Sequence, residues 1–354
     1  MTTRKPNRRQ RPGRTAWIAA AACAGLLGCR VPAPPPLDAK REDAPPPRPA
    51  PAGKTLVAHY MPWYQTPARR GAWGSHWKGP DASHHPDRLG ADGLPDIWSH
   101  YHPLIGPYDS TDPDVLECHL LQMKLAGIDG VIADWYGIGA TADYPLTHDA
   151  TRALFAAAGR CGMKFAICYE DRSVKLMVEW NHLRPDAVTN HLAGTFQWMS
   201  REWFGSPTYL RVQGRPLVLN FGPVYLQQPD VWRAAMATLP ERPALFGLHH
   251  LWRLAGADGG FTWVHRDPWE GTPPPQQILT RIGEVFTYFT SNTSEVIVSA
   301  FPGFNDVYAH ENHHEIDHRG GQTLRETLSV AMAGPWPLIQ LVTWNDYGEG
   351  TMIE

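Results

Sequence analysis

The chain has no apolar run long enough to cross a bilayer comfortably; the longest one near its start, Ala16–Leu27, falls short of about 20 residues. It also has no basic excess. With 32 Lys+Arg against 35 Asp+Glu the formal net charge is −3, which argues against nucleic acid as a partner. Cysteine is scarce: Cys23, Cys29, Cys118, Cys161 and Cys168 are the only five. No Gly-x-Ser-x-Gly elbow or P-loop occurs, and Gly137-Ile138-Gly139 lacks the third glycine of a dinucleotide fingerprint. Serine-nucleophile chemistry and NAD binding lose their usual supports.

What is present begins with a leader. Residues 1–28 carry six basic side chains and no acid before the apolar run, the pattern of an export signal. The run ends Leu26-Leu27-Gly28-Cys29, which resembles the lipobox of bacterial lipoproteins; Cys29 is then the lipidated first residue of an envelope-anchored protein. Removal of residues 1–28 leaves 26 basic against 35 acidic residues, or −9, and, besides Cys29, three cysteines, enough for one disulfide at most. Residues 29–53 are proline-rich without apolar periodicity and read as an extended tether. Residues 54–354 form the globular part, and oligomeric state is not legible.

In that part short β-rich runs alternate with longer helical stretches. The runs are 55–60, 130–135, 164–169, 217–221, 244–248, 260–264, 295–300 and 338–343. Helices are expected over 113–126, 148–160, 187–202, 229–237, 274–289 and 322–333, the first with Asp112 as its cap, Pro113 at its first position and Gly127 as its stop. Eight alternating units over about 300 residues favour an α/β chain folded as a (β/α)₈ TIM barrel. Long insertions at 61–111 and 301–321 both follow strands, and so lie on the C-terminal face where barrels build active sites.

The residues just after each run are rich in aromatics, amides and acids. Aromatic faces cover the apolar faces of sugar rings while carboxylates and amides take hydroxyls, so the mixture suits a carbohydrate. Asp346 and Glu349, three apart beyond the last strand in Thr343-Trp-Asn-Asp-Tyr-Gly-Glu349, form the carboxylate pair that acid/base cleavage of a glycosidic bond needs. Asn345-Asp346-Tyr347-Gly348 also suits a plain turn. Candidate sugar contacts from the strand ends are Tyr60, Trp63, Trp135, Tyr136, Glu170, Arg172, Asn220, His249, Trp344 and Asn345. The polar stretch His310-Glu-Asn-His313-His314-Glu-Ile-Asp317-His318 offers metal ligands without a fixed spacing, and adjacent His249 and His250 would face opposite ways on a strand.

Several separated motifs resemble a known group when taken in order: His59-Tyr-Met-Pro-Trp-Tyr64, Trp73-Gly-Ser-His76-Trp77, the block His102–Pro113 running on to Gly127–Tyr136, and Trp344–Glu354. From about Thr55 onward the chain resembles glycoside hydrolase family 99, the endo-α-mannosidases, and the related family 71 α-1,3-glucanases. The resemblance implies a (β/α)₈ barrel, no cofactor or metal requirement, and cleavage of an α-linked glycan by two acids after the last strand. It implies that Glu349 is the general acid/base, with its pKa raised by burial and by Asp346. It further implies that Asp346 deprotonates the sugar's own 2-hydroxyl, which displaces the leaving group through a 1,2-anhydro intermediate with overall retention. Tyr60, Trp63, His76, Trp77, Trp135 and Tyr136 would wall the subsites, and Glu170 and Arg172 would hold hydroxyls. Family 99 carries glutamate where this chain has Asp346, and the string Asn-Asp-Tyr-Gly-Glu stands closer to family 71. The alternatives are a glycan-binding lipoprotein that does not cut, and metal-dependent hydrolysis on the histidine-rich loop.

Overall fold

A computed structural model describes residues 53–264, 275–292, 295–308 and 314–354. The leader, Cys29, the tether up to residue 52, and His310 and His313 lie outside the described residues. Eight parallel strands close on themselves: β1 Thr55–Tyr60, β2 Gly130–Trp135, β3 Lys164–Tyr169, β4 Arg215–Asn220, β5 Ala244–Leu248, β6 Gly259–Phe261, β7 Val296–Ala300 and β8 Leu338–Leu341. Closure is made where Thr55 of β1 meets Leu338 of β8. The expected barrel is therefore the observed one.

Inward-pointing Val57, Ile132, Ala166, Leu217, Phe246, Phe261, Ile297 and Leu338 fill the barrel, all buried. Strands covered on both faces read as continuous apolar runs, which is why they stand out in the sequence. β6 is the shortest, because it opens on two glycines. A Cβ on Gly259 would sit 2.3 Å from the Glu295 carbonyl oxygen, so only glycine lets this strand lie beside its neighbour.

The outer layer holds α1 Pro113–Leu125, α2 Tyr144–Arg160, α3 Arg172–Glu179, α4 Val188–Met199, α5 Pro229–Met236, α6 Pro275–Asn292 and α7 Gln322–Ala333. Asp112 caps α1 by accepting from the Asp114 N–H at 3.0 Å, and Gly127 turns the chain at φ +80°. α3 was not expected, since its eight residues follow the acid-rich strand end without a stop signal. Between β5 and β6 the described chain has only the short 3₁₀ turn Trp252–Ala255 where a barrel helix would stand. Cys118, Cys161 and Cys168 are all free thiols.

Both long insertions rise from the C-terminal face. The segment after β1 carries single-turn helices Pro67–Arg70 and Ser75–Lys78, and the one after β7 carries a small antiparallel pair, Phe304–Asn305 with Glu315–Ile316.

Candidate active site

The loop after β8 is built as a closed staple. Thr343 N–H donates to the Thr351 carbonyl at 2.8 Å, their hydroxyls meet at 2.9 Å, and Thr351 N–H returns to the Asp346 carbonyl at 3.1 Å. Gly350 makes the turn possible at φ +61°, a left-handed conformation that side chains resist. Inside the staple, Thr343 Oγ1 accepts from the Asp346 N–H at 2.8 Å, and Asp346 Oδ1 accepts from the Glu349 N–H at 3.0 Å. The two acids are thus fixed relative to each other by backbone.

The loop is in turn fastened to the segment after β1. Asn345 Oδ1 accepts from Met61 N–H at 2.8 Å, while its Nδ2 donates to the Met61 carbonyl at 3.0 Å and to Tyr108 Oη at 3.1 Å. Tyr64 Oη donates to the Asn345 carbonyl at 2.8 Å and accepts from the Tyr347 N–H at 3.2 Å. Tyr108 Oη and His119 both reach the Glu354 carboxylate, at 2.8 and 3.0 Å. With all these groups buried or nearly so, the bonds carry the cost of leaving any one of them unmade, about 1–3 kcal/mol each.

Over this platform opens a cleft of about 210 Å³ lined by Trp63, Tyr64, His76, Trp98, Tyr136, Glu170, Arg172, Asp346, Gly348 and Glu349. Trp63 and His76 stack at 4.2 Å with their planes 7° apart, and Tyr136 lies 6.4 Å from Trp63 in a similar orientation. His76 Nε2 is 3.6 Å from Asp143 Oδ2. The result is a flat aromatic wall on one side, with carboxylates and the Arg172 guanidinium beside it. Such a surface matches a sugar, which presents C–H faces and hydroxyl edges.

Electrostatics single out the acids. Burial pushes the Asp346 carboxyl up to about 6, although the Glu349 N–H and the charge of His76 pull it the other way. Burial also pushes Glu170 up to about 7, opposed by Arg172 and reinforced by Asp171 and Asp346. Asp134, fully buried, is raised well above the ordinary carboxylate range by burial and then by the charges of Glu170, Asp346 and Glu349. Four carboxylates share one field, and not all can ionise together at ordinary cost.

The structure brings Trp63, His76, Tyr136, Glu170, Arg172, Asp346 and Glu349 to one cleft. Six other sequence candidates are placed behind it, away from the lining residues. Tyr60 is fully buried against His119 (3.0 Å), and Trp77 is fully buried among Tyr64, Tyr108 and Tyr347. Trp135 packs outward against Trp198, Trp203 and His148, because alternate residues of a strand face opposite ways and Asp134 takes the inward position. Asn345 is spent on the loop fastening, and Trp344 lies buried beside His119. Asn220 is likewise buried, and donates to Asp171 Oδ1 at 3.3 Å. His249 follows β5 beside His250 and is not among the residues lining the cleft.

Sequence reasoning missed Trp98 and Gly348 as lining residues. Tyr64, one of the aromatic residues just after the first run, also lines the cleft. Trp98 lies in a loop without periodicity, and only the fold brings its ring to within 3.3 Å of where a Cβ on Gly348 would be. On the histidine-rich loop, His314 faces Asp306 at 3.4 Å and His318 Nδ1 faces Tyr101 Oη at 3.0 Å.

A closed (β/α)₈ barrel with paired acids and an aromatic wall at its C-terminal face defines a glycan-cleaving hydrolase. The family model described as glycosyl hydrolase family 99 matches residues 51–243, more than half of the chain, and the chain belongs to that family. It is 24% identical over 332 residues to the glycoprotein endo-alpha-1,2-mannosidase-like protein of Mus musculus, covering 84% of this chain and 69% of the relative. A shorter stretch of 88 residues, 23% of this chain and 19% of the relative, is 36% identical to the mouse glycoprotein endo-alpha-1,2-mannosidase. Among solved structures, the GH99 endo-alpha-mannosidase of Bacteroides thetaiotaomicron superposes with a TM-score of 0.63 at 19% identity, over 84% of this chain and 87% of that one. The family-model match ends before β5, so the acids of the last loop come into the site through the fold.

Proposed function

We propose that this protein is an endo-acting hydrolase of an α-mannosidic glycan, with Glu349 as acid/base and Asp346 as base. The observation that carries the reading is the disposition of these two side chains: Asp346 buried at the cleft floor, Glu349 partly exposed above it, tied through one backbone hydrogen bond. The relatives' names supply the mannosidic linkage.

In this reading the Glu349 carboxyl gives its proton to the glycosidic oxygen as the bond to C1 breaks. Asp346, ionised at neutral pH because its pKa stays near 6, takes the proton of the sugar 2-hydroxyl, and O2 closes on C1. Water then opens the 1,2-anhydro sugar: Glu349 removes its proton, Asp346 returns one to O2, and the anomer is retained. Arg172 and Glu170 hold hydroxyls at the cleft edge, and the stacked Trp63, His76 and Tyr136 cover the ring faces.

The export signal, the Cys29 anchor and the tether of residues 29–53 complete the proposal: an enzyme held at a bacterial envelope, working on glycan within reach of its linker. The test is incubation of the purified protein with α-mannans and α-1,3-glucans, following product anomers by NMR. Release of oligosaccharides from mannan with the α-anomer appearing first is expected. Cleavage confined to glucan, or initial β-anomer, would overturn the substrate or the retaining route. For the anchor, Cys29→Ser should move the protein from the membrane to the soluble fraction of expressing cells.

A further inference from the structure

The barrel interior holds a second cluster that the glycosidase reading does not use. His59 on β1, Asp134 on β2 and Cys168 on β3 point inward from three adjacent strands, and one ligand-type atom from each lies within 4.8 Å of the others. All three residues are buried. Cys168 lies two residues before Glu170 on the same strand face, so the cluster sits one pleat beneath the acids of the cleft.

Two polar atoms in this cluster lack a hydrogen-bond partner among the described residues: His59 Nε2 and Asp134 Oδ2. The surrounding bonds explain which form the imidazole takes. Gln340 Nε2 donates to the Thr262 carbonyl at 2.7 Å, which turns Gln340 Oε1 toward His59 Nδ1 at 3.5 Å. An acceptor at Nδ1 calls for the Nδ1–H tautomer, and that leaves Nε2 with an unprotonated lone pair. A histidine oriented by an amide oxygen on one nitrogen, with the other nitrogen left unpartnered and a carboxylate and a thiol close to the ring, has the arrangement that metal sites share.

We propose that His59, Asp134 and Cys168 form a binding site for a divalent transition-metal ion of the zinc type, inside the barrel and below the catalytic acids. The donor set of one imidazole, one carboxylate and one thiolate is of borderline softness, which favours Zn²⁺ and Co²⁺ over Mg²⁺ or Ca²⁺. Its charge also fits: a thiolate and a carboxylate neutralise a divalent ion, so the complex carries no net charge into an apolar interior. Tetrahedral bonds of about 2.0–2.3 Å place ligand atoms about 3.5 Å apart, so closing on an ion asks for shifts of roughly 1 Å. Binding releases the thiol proton, together with any proton held by Asp134. Burial, and then the neighbouring charges of Glu170, Asp346 and Glu349, push the Asp134 carboxyl well above the ordinary carboxylate range. The ion's role is to brace the barrel; it does not touch the glycosidic bond.

The experiment is a Co²⁺ titration of the full chain, stripped with chelator and kept reduced. Expected are one Co²⁺ per chain, a thiolate-to-cobalt charge-transfer band with tetrahedral d–d intensity, loss of both on adding Zn²⁺, and a higher Tm with Zn²⁺ bound. The band should persist when Cys23, Cys29, Cys118 and Cys161 are all replaced by serine, and vanish in Cys168→Ser. The four-serine variant keeps the test decisive should Cys168→Ser not fold. A wild-type protein without the band, or a band lost in the four-serine variant while its circular dichroism is unchanged, would overturn the site; cobalt bound without a thiolate band would mean the histidine-rich loop instead.

Discussion

The Glu349 N–H donates to Asp346 Oδ1 at 3.0 Å, so the main chain of one acid positions the side chain of the other. An amide at position 346 keeps an oxygen for that bond. Asp346→Asn therefore tests charge with little change of geometry, and Glu349→Gln does the same for proton donation. Each should lower kcat by about 10²–10⁴-fold with a nearly unchanged Tm. Steady-state hydrolysis and thermal unfolding check this, and variants within tenfold of wild type would remove the pair from the reaction.

The pH profile follows from the same residue. Asp346 must be ionised to act as a base, and its pKa in the fold is about 6. The kcat/KM, which reports the free enzyme, should hold near neutrality and fall about tenfold per unit below pH 6. An acidic limb centred near 4 would mean that the base is an ordinary exposed carboxylate.

Glu170 makes an opposite statement about stability. Its folded pKa, about 7, is raised above the ordinary 4.5, so the fold favours the protonated form. The contribution is favourable below pH 4.5 and is lost as the pH rises through 7, where the charge must be carried in a buried setting. Glu170→Gln should thus unfold at a higher temperature than wild type at pH 8, by a few degrees, with the difference closing toward pH 4.5. Calorimetry at the two pH values measures it; a variant less stable at pH 8 than wild type contradicts the sign.

Asp171, next in sequence, should behave differently. Its carboxylate accepts the N–H groups of Val224, Tyr225 and Leu226 at 2.9, 2.7 and 2.7 Å, and that of the Asn220 amide at 3.3 Å. Asp171→Ala leaves three backbone donors without their acceptor and should cost about 3 kcal/mol in denaturant unfolding. Activity measured well below the lowered Tm should be largely kept. A catalytic loss as deep as that of Glu349→Gln would place Asp171 in the machinery.

Adjacent acids with opposite roles show where sequence reading stops. Glu170 and Asp171 look alike as letters after a strand; the first opens on the cleft and the second ties down the loop after β4. Trp135 and Tyr136 divide the same way, one into the outer packing and one onto the wall, because strand alternation sends neighbours to opposite faces. Trp98 and Tyr64 enter the cleft through a loop whose path no periodicity announces. The barrel itself was legible because doubly covered strands write unbroken apolar runs, and the acid pair because three residues of spacing kept it local.

Local chemistry and periodicity alone determined the eight strands, nearly all their helices, the face that carries function and the Asp346–Glu349 pair, since each is encoded within a few consecutive residues. Tertiary structure decided which aromatic rings see the cleft, which acids are pushed toward neutrality, and that His59, Asp134 and Cys168 meet inside the barrel. Those properties depend on atoms up to hundreds of residues apart along the chain, and burial and distance come into being only when the barrel closes.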